Sequence, residues 1–156
     1  MNSNSSLPFS DRLALGETEF QDFKETISSE RKIAKTIGSM ANTKGGTIWV
    51  GVKDDRSFRL IDPLEEQFMM EQAAEHFCNP PVHLNFKIHH TGPYRILEVA
   101  IPESTHKPVY SMRDDDEWLV YIRVKDESLL ATKTMVDVLN DLFNLEQVDD
   151  SALHNK

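Results

Sequence analysis

The chain has 156 residues, 39% hydrophobic and 28% charged, with a formal net charge of −9. That length and balance fit one globular domain with a sizeable core. No stretch approaches the roughly 18 apolar residues needed to span a bilayer, and the negative balance argues against broad electrostatic wrapping of a polyanion.

In chain order, residues 1–10 are rich in Ser and Asn and read as a mobile tail. Alternation in Phe20-Gln-Asp-Phe-Lys24 predicts a strand with Phe20, Asp22 and Lys24 on one face and Gln21 and Phe23 on the other. Ser28 and Ser29 can cap a helix whose apolar positions Ile33, Ile37, Met40 and Ala41 recur at helical spacing. Asn42 to Gly46 ends it, and Gly45-Gly46 permits a left-handed turn. Thr47–Val52 is β-branched and aromatic, a buried strand.

Asp62-Pro63-Leu64-Glu65 supplies a cap, a proline in the first turn and a glutamate at the third position, which together start a helix. Leu64, Phe68, Ala73 and Phe77 suggest its buried stripe. A hairpin is expected over Val82–His90 and Tyr94–Ile101, then a short extended piece at Pro108–Tyr110 and a strong strand at Trp118–Val124. Lys133–Leu145 reads as a helix with Met135, Val138, Leu139, Leu142 and Phe143 inward. The pattern is α+β, a mixed sheet with about three helices. It divides into a tail over 1–10, one domain over 11–145 and an acidic tail over 146–156.

Charge is uneven. Residues 1–60 hold 9 Lys/Arg against 8 Asp/Glu, a balance of +1, and the remainder hold 8 against 18, a balance of −10. The near-neutral part carries the suggestive residues. Two strands joined by a helix usually lie in one sheet, so the polar ends near 17–24 and near 54 are expected to converge. Glu17, Asp22 and Asp54 are carboxylates of the kind that hold Mg²⁺ or Mn²⁺, and Lys24 shares the strand face of Asp22. Such a lysine can stabilise charge that develops in phosphodiester cleavage. The plainer alternative is a solvated strand face with a weak surface pair.

Other features carry less. Asn42–Gly46 lacks the phosphate-loop pattern and closes a helix rather than opening one. His89 and His90 point to opposite strand faces and cannot share a metal. Asp114–Glu117 lacks the glycine and distal glutamate of a calcium loop and reads as solvated. Cys78 is alone, which fits a reducing cytoplasm and a small core residue. The N-terminus has no basic region followed by an apolar block, so no secretion signal is expected.

The order Glu17…Asp22-Phe-Lys24, Ile37-Gly-Ser-Met-Ala-Asn-Thr-Lys-Gly-Gly46, Ile48-Trp-Val-Gly-Val-Lys-Asp54, Lys107-Pro-Val-Tyr110 and Tyr121-Ile-Arg-Val124 resembles the Schlafen-type AlbA-like domain from about Leu15 to Leu139. The resemblance implies an α+β fold and a regulatory domain that binds DNA or RNA, with Lys24, Lys53, Lys107 and Arg123 toward the phosphates. In vertebrate members it also implies metal-dependent cleavage of transfer and ribosomal RNA. The ligands would then be Glu17, Asp22 and Asp54, with Lys24 as helper. The family commonly has Glu where this chain has Asp22, one methylene shorter. Vertebrate members pair two lobes into a clamp, so a homodimer is expected here. A third reading is an interaction module that binds no nucleic acid, suggested by the acidic remainder of the chain.

Overall fold

A computed structural model describes residues 8–142. In chain order the elements are α1 (Phe9–Ala14), β1 (Gln21–Lys24), α2 (Glu30–Ala41), β2 (Gly46–Val50), α3 (Pro63–His76), β3 (Cys78–Asn79), β4 (Asn85–Thr91), β5 (Tyr94–Ile101), β6 (Tyr110–Met112), β7 (Trp118–Val124), β8 (Glu127–Leu130) and α4, from residue 133 to 142. The α+β class is as expected, but the strands form two sheets rather than one. The first, in the order β1-β2-β5-β4, is mixed, with β1 parallel to β2. The second, β3-β6-β7-β8, is antiparallel throughout.

Helix α2 joins the two sheets. Ser29 caps it, its Oγ accepting from the Lys32 amide at 3.2 Å. Ile33, Ile37 and Met40 pack with Ile48, Val50, Leu97 and Val99 of the first sheet. Its C-terminal half also lies on β6, β7 and β8, so almost every residue from Thr36 to Ala41 is buried. A helix covered on both sides must be apolar or internally bonded around most of its circumference. Asn42 meets that demand: its amide nitrogen donates to Val109 O and Tyr121 O, both at 2.9 Å, and its Oδ1 accepts from Val109 N at 2.6 Å. Gly38 allows close approach, because a Cβ there would overlap Ser111 Oγ of β6, which donates to Ala34 O at 3.0 Å. Gly45 takes φ +72°, and its amide donates to Met40 O at 2.8 Å, the left-handed exit the sequence predicts.

The opposite face of the first sheet carries α1, which the expected 1–10 tail overlaps by two residues at Phe9 and Ser10. Leu13, Phe23, Trp49, Val52 and Ile96 form a small core there, with Phe9 against it. A buried polar line seals its edge. Arg12 donates to Glu98 at 2.9 Å, Glu98 pairs with His89 at 2.7 Å, and Arg12 lies over the Trp49 ring.

Two helices turn other faces inward than the sequence suggests. In α3 the buried positions are Pro63, Glu66, Met70, Ala73 and Ala74; of the expected stripe Ala73 is buried and Phe77 packs against the core, while Leu64 and Phe68 are 70% and 58% exposed. The reason is Glu66, whose carboxylate accepts from Thr26 Oγ1 and from the Ile27 amide and so sets the rotation of the helix. In α4 only Leu139 of the expected stripe is buried; Met135, Val138 and Leu142 are exposed. Phe143, the rest of that helix to Leu145 and the 146–156 tail lie outside the described residues, as do residues 1–7. The first hairpin strand begins at Asn85 rather than Val82, and β8 is an element the sequence reading lacks. Cys78 is a core residue, and burial pushes its thiol up to about 12.

Gly38→Ala should destabilise the chain by about 1–3 kcal/mol through overpacking against Ser111. Adding Ser111→Ala should recover part of that loss in urea unfolding. A single variant as stable as the parent would remove the close-approach account of this glycine.

Candidate nucleic-acid interface

The site is built where β1 and β2 end. Gln21, facing α1, donates from Nε2 to Arg12 O at 2.6 Å and to Gly16 O at 2.7 Å, and accepts from Trp49 Nε1 at 3.1 Å. These bonds fix the bend that delivers Glu17. The Glu17 Oε1 then accepts from the Phe23 amide at 2.9 Å, which lays its carboxylate along β1. On the next strand, Gly51 N and Val52 N both donate to Lys24 O, drawing the end of β2 over the end of β1. A tight turn follows: Lys53 N donates to Ser57 O, and Asp55 accepts from the Ser57 amide and hydroxyl. Lys53 begins the turn, its carbonyl accepting from the Arg56 amide at 2.8 Å, and Asp54 follows it within the turn.

Asp22 and Lys24 share a face of β1, as alternation predicts. Asp22 is buried and Lys24 is 41% exposed at its side chain. The Lys24 ammonium sits 3.0 Å from Asp22 Oδ2 but off the hydrogen-bonding direction, so Oδ2 has a charge contact without a hydrogen bond. Asp22 Oδ1 accepts from Arg123 at 3.1 Å.

Glu17 belongs to the same electrostatic cluster. Partial burial raises its carboxyl above the usual range, the Phe23 amide opposes this, and the nearby charges of Asp22 and Asp54 add to the rise while Lys24 counters it. The structure therefore gathers Glu17, Asp22, Lys24 and Asp54 in one region. Among the described residues, however, no three acid, histidine or cysteine side chains stand in metal-holding geometry.

The expected cations divide. Arg123 is turned inward, its side chain 2% exposed, donating to Thr18 O, Asp22 and Ser128. It holds the site from beneath and is not available to a phosphate in this arrangement. Lys107 lies at the far end of α2, donating to Thr43 O at 3.3 Å and Glu103 at 2.8 Å. Lys24 instead lines a cleft of about 220 Å³ with Thr26, Ser28, Ser29, Lys32 and Ile33 at the N-terminus of α2. Lys32 and Arg56 are missing from the sequence reading. Arg56 occupies a left-handed turn position, φ +70°, and lays its guanidinium on Gly16 beside Glu17. No spacing rule would have found it, because the contact joins two loops.

The Schlafen, AlbA_2 family profile matches residues 17–132. The chain belongs to the Schlafen AlbA_2 family. Among solved structures it is similar to the N-terminal domain of a protein from Nitrosomonas europaea described as related to the ATP-dependent DNA helicase RecG. That match has 20% identity and TM-score 0.53, over 67% of this chain and 78% of that one. It is also similar to a protein from Corynebacterium diphtheriae, at 18% identity and TM-score 0.52, over 72% of this chain but 22% of that one. At such identities these structures bear on the fold alone. No curated protein matches. Among the described residues no helix is long and apolar enough to cross a membrane.

Two outcomes test this geometry. Arg123→Met leaves the Asp22 carboxylate buried with only Lys24 beside it and should cost about 3 kcal/mol in urea unfolding. Adding Asp22→Asn should recover part of it. Glu17 has a raised folded-state pKa, so its contribution is most favourable below the ordinary carboxyl value of 4.5 and is lost as pH rises through the folded pKa. Glu17→Gln should therefore melt increasingly above the parent as pH rises through the carboxylate range, with a constant offset ruling that out.

Proposed function

We propose that the chain is a nucleic-acid-binding domain of the cytoplasm that grips the phosphate backbone at the end of β1. The observation that carries this reading is the position of Lys24. Its half-exposed ammonium lines the α2 cleft with Lys32, where the first amides of a 12-residue helix add partial positive charge. On the turn that follows β2, Arg56 brings its guanidinium to Gly16, next in sequence to Glu17, and Lys53 adds a second cation to the same turn. Arg123 acts as a positioning residue that keeps β1 in place. Backbone contacts of this kind favour neither DNA nor RNA and read no sequence.

Labelled single-stranded DNA and RNA should bind, with affinity falling linearly against the logarithm of salt concentration. Lys24→Gln and Lys32→Gln should each lower that slope by about 1. Lys32 is exposed and outside the buried cluster, so its variant separates loss of contact from loss of fold. Unchanged slopes in both would end this reading.

A second reading is a divalent-metal ribonuclease. Asp22 Oδ2 is buried without a hydrogen bond, and the Glu17 carboxyl is raised first by burial and further by the neighbouring charges of Asp22 and Asp54. A cation would relieve both conditions, and three carboxylates suit Mg²⁺ or Mn²⁺. Glu17, Asp22 and Asp54 would hold it, after a shift of Lys24 away from Asp22. The metal would supply an activated water and charge stabilisation. Lys24 would then neutralise the phosphate. RNA incubated with Mn²⁺ should be cleaved by the parent and not by Asp54→Ala; equal cleavage by both would dismiss the idea.

A further inference from the structure

We propose that the groove between α3 and the β1–α2 connection docks a basic amphipathic helix of a partner protein. The groove encloses about 560 Å³ and is lined by Thr26, Ile27, Leu64, Glu65, Phe68 and Met69, with Asp62 at one end. That is room for a few anchoring side chains rather than for a whole helix. Leu64 and Phe68 stand one helical turn apart on the outer side of α3, and both are largely exposed. Burial of Glu66 fixes this orientation, so the apolar ridge cannot turn inward without breaking the bonds to Thr26 and Ile27. An i, i+4 apolar ridge beside a groove is the shape into which the apolar face of a second helix packs.

Charge selects the occupant. From Asp62 to His76 the segment carries five acids, Asp62, Glu65, Glu66, Glu71 and Glu75, and no lysine or arginine. Asp62 and Glu65 border the groove itself. A second copy of this chain would bring the same acids against them, and like charges in contact oppose association. A helix with apolar residues on one face and Lys or Arg along its edges satisfies both features. Lys24 and Lys32 line the adjoining cleft, which shares Thr26 and Ile27 with the groove. This docking surface does not depend on the nucleic-acid reading.

The test uses the full chain and a fluorescent Leu/Lys amphipathic helical peptide of about 18 residues, long enough to hold helix in water. Its control is a peptide of the same composition in scrambled order. Anisotropy should show the amphipathic peptide binding more tightly than the scrambled one. Phe68→Ser or Leu64→Ser should weaken it roughly tenfold or more, as loss of an anchor does. Glu65→Lys should weaken it less and flatten its salt dependence. All three positions are exposed, and an unchanged melting temperature verifies the fold of each variant. Equal binding of both peptides, or variants that bind like the parent, would overturn the proposal. So would sedimentation showing self-association that Phe68→Ser abolishes, since the occupant would then be a second copy.

Discussion

One buried guanidinium joins the two halves of this domain. Arg123 leaves the second sheet from β7, donates to Ser128 of neighbouring β8, and reaches Thr18 O and Asp22 at the start of the first sheet. Asp22 is buried only because that charge meets it. A lone carboxylate at the same depth would be strongly disfavoured. The ion pair therefore does two things at once: it ties the sheets together, and it holds a negative charge in place under Lys24. Part of the pair's hydrogen-bonding capacity is unused, since Arg123 Nε and Asp22 Oδ2 have no hydrogen-bond partner. The junction is electrostatically satisfied but not fully bonded.

The family-like stretch Ile37–Gly46 lies on α2 and its exit, and the run Ala41–Asp54 continues from there along β2 to the cluster. Gly38 lets β6 approach, Asn42 bridges to β6 and β7, Gly45 makes the turn, and Ser39 bonds Ser128 at 2.7 Å. Each residue type answers a packing demand at a helix enclosed by two sheets. The sequence resemblance thus identifies the fold through its central joint, and the site follows because that joint fixes where β1 and β2 end.

Much of this was legible from local pattern. Alternation placed Asp22 and Lys24 on one face, Ser29 and Asp62 cap their helices, and β2, β5 and β7 fall where β-branched residues cluster. What escaped depended on long-range partners. The phase of α3 turns on a buried glutamate, which no hydrophobic stripe reveals. The inward turn of Arg123 depends on Asp22, 101 residues away in sequence. Arg56 reaches the site through a turn conformation, and α1 is a short helix held by the sheet beneath it rather than by its own propensity.

Net charge and proposed ligand are reconciled by location. Several of the acids are already committed: Asp115 and Glu117 to Arg113, Asp116 to Arg31 and Glu103 to Lys107. The uncommitted acidity that matters lies on α3, next to the Lys24 cleft, because both clefts share Thr26 and Ile27 as a wall. At physiological salt the screening length is about 8 Å, so any of these acids within that distance would weaken an anion held by Lys24 and Lys32. A basic helix seated on α3 would cancel that field. Its sign is fixed by Coulomb's law: a helix docked on α3 would raise phosphate affinity at α2, and by reciprocity a bound phosphate would tighten the docked helix. Such coupling between the two proposed surfaces would act through charge and needs no change of backbone conformation.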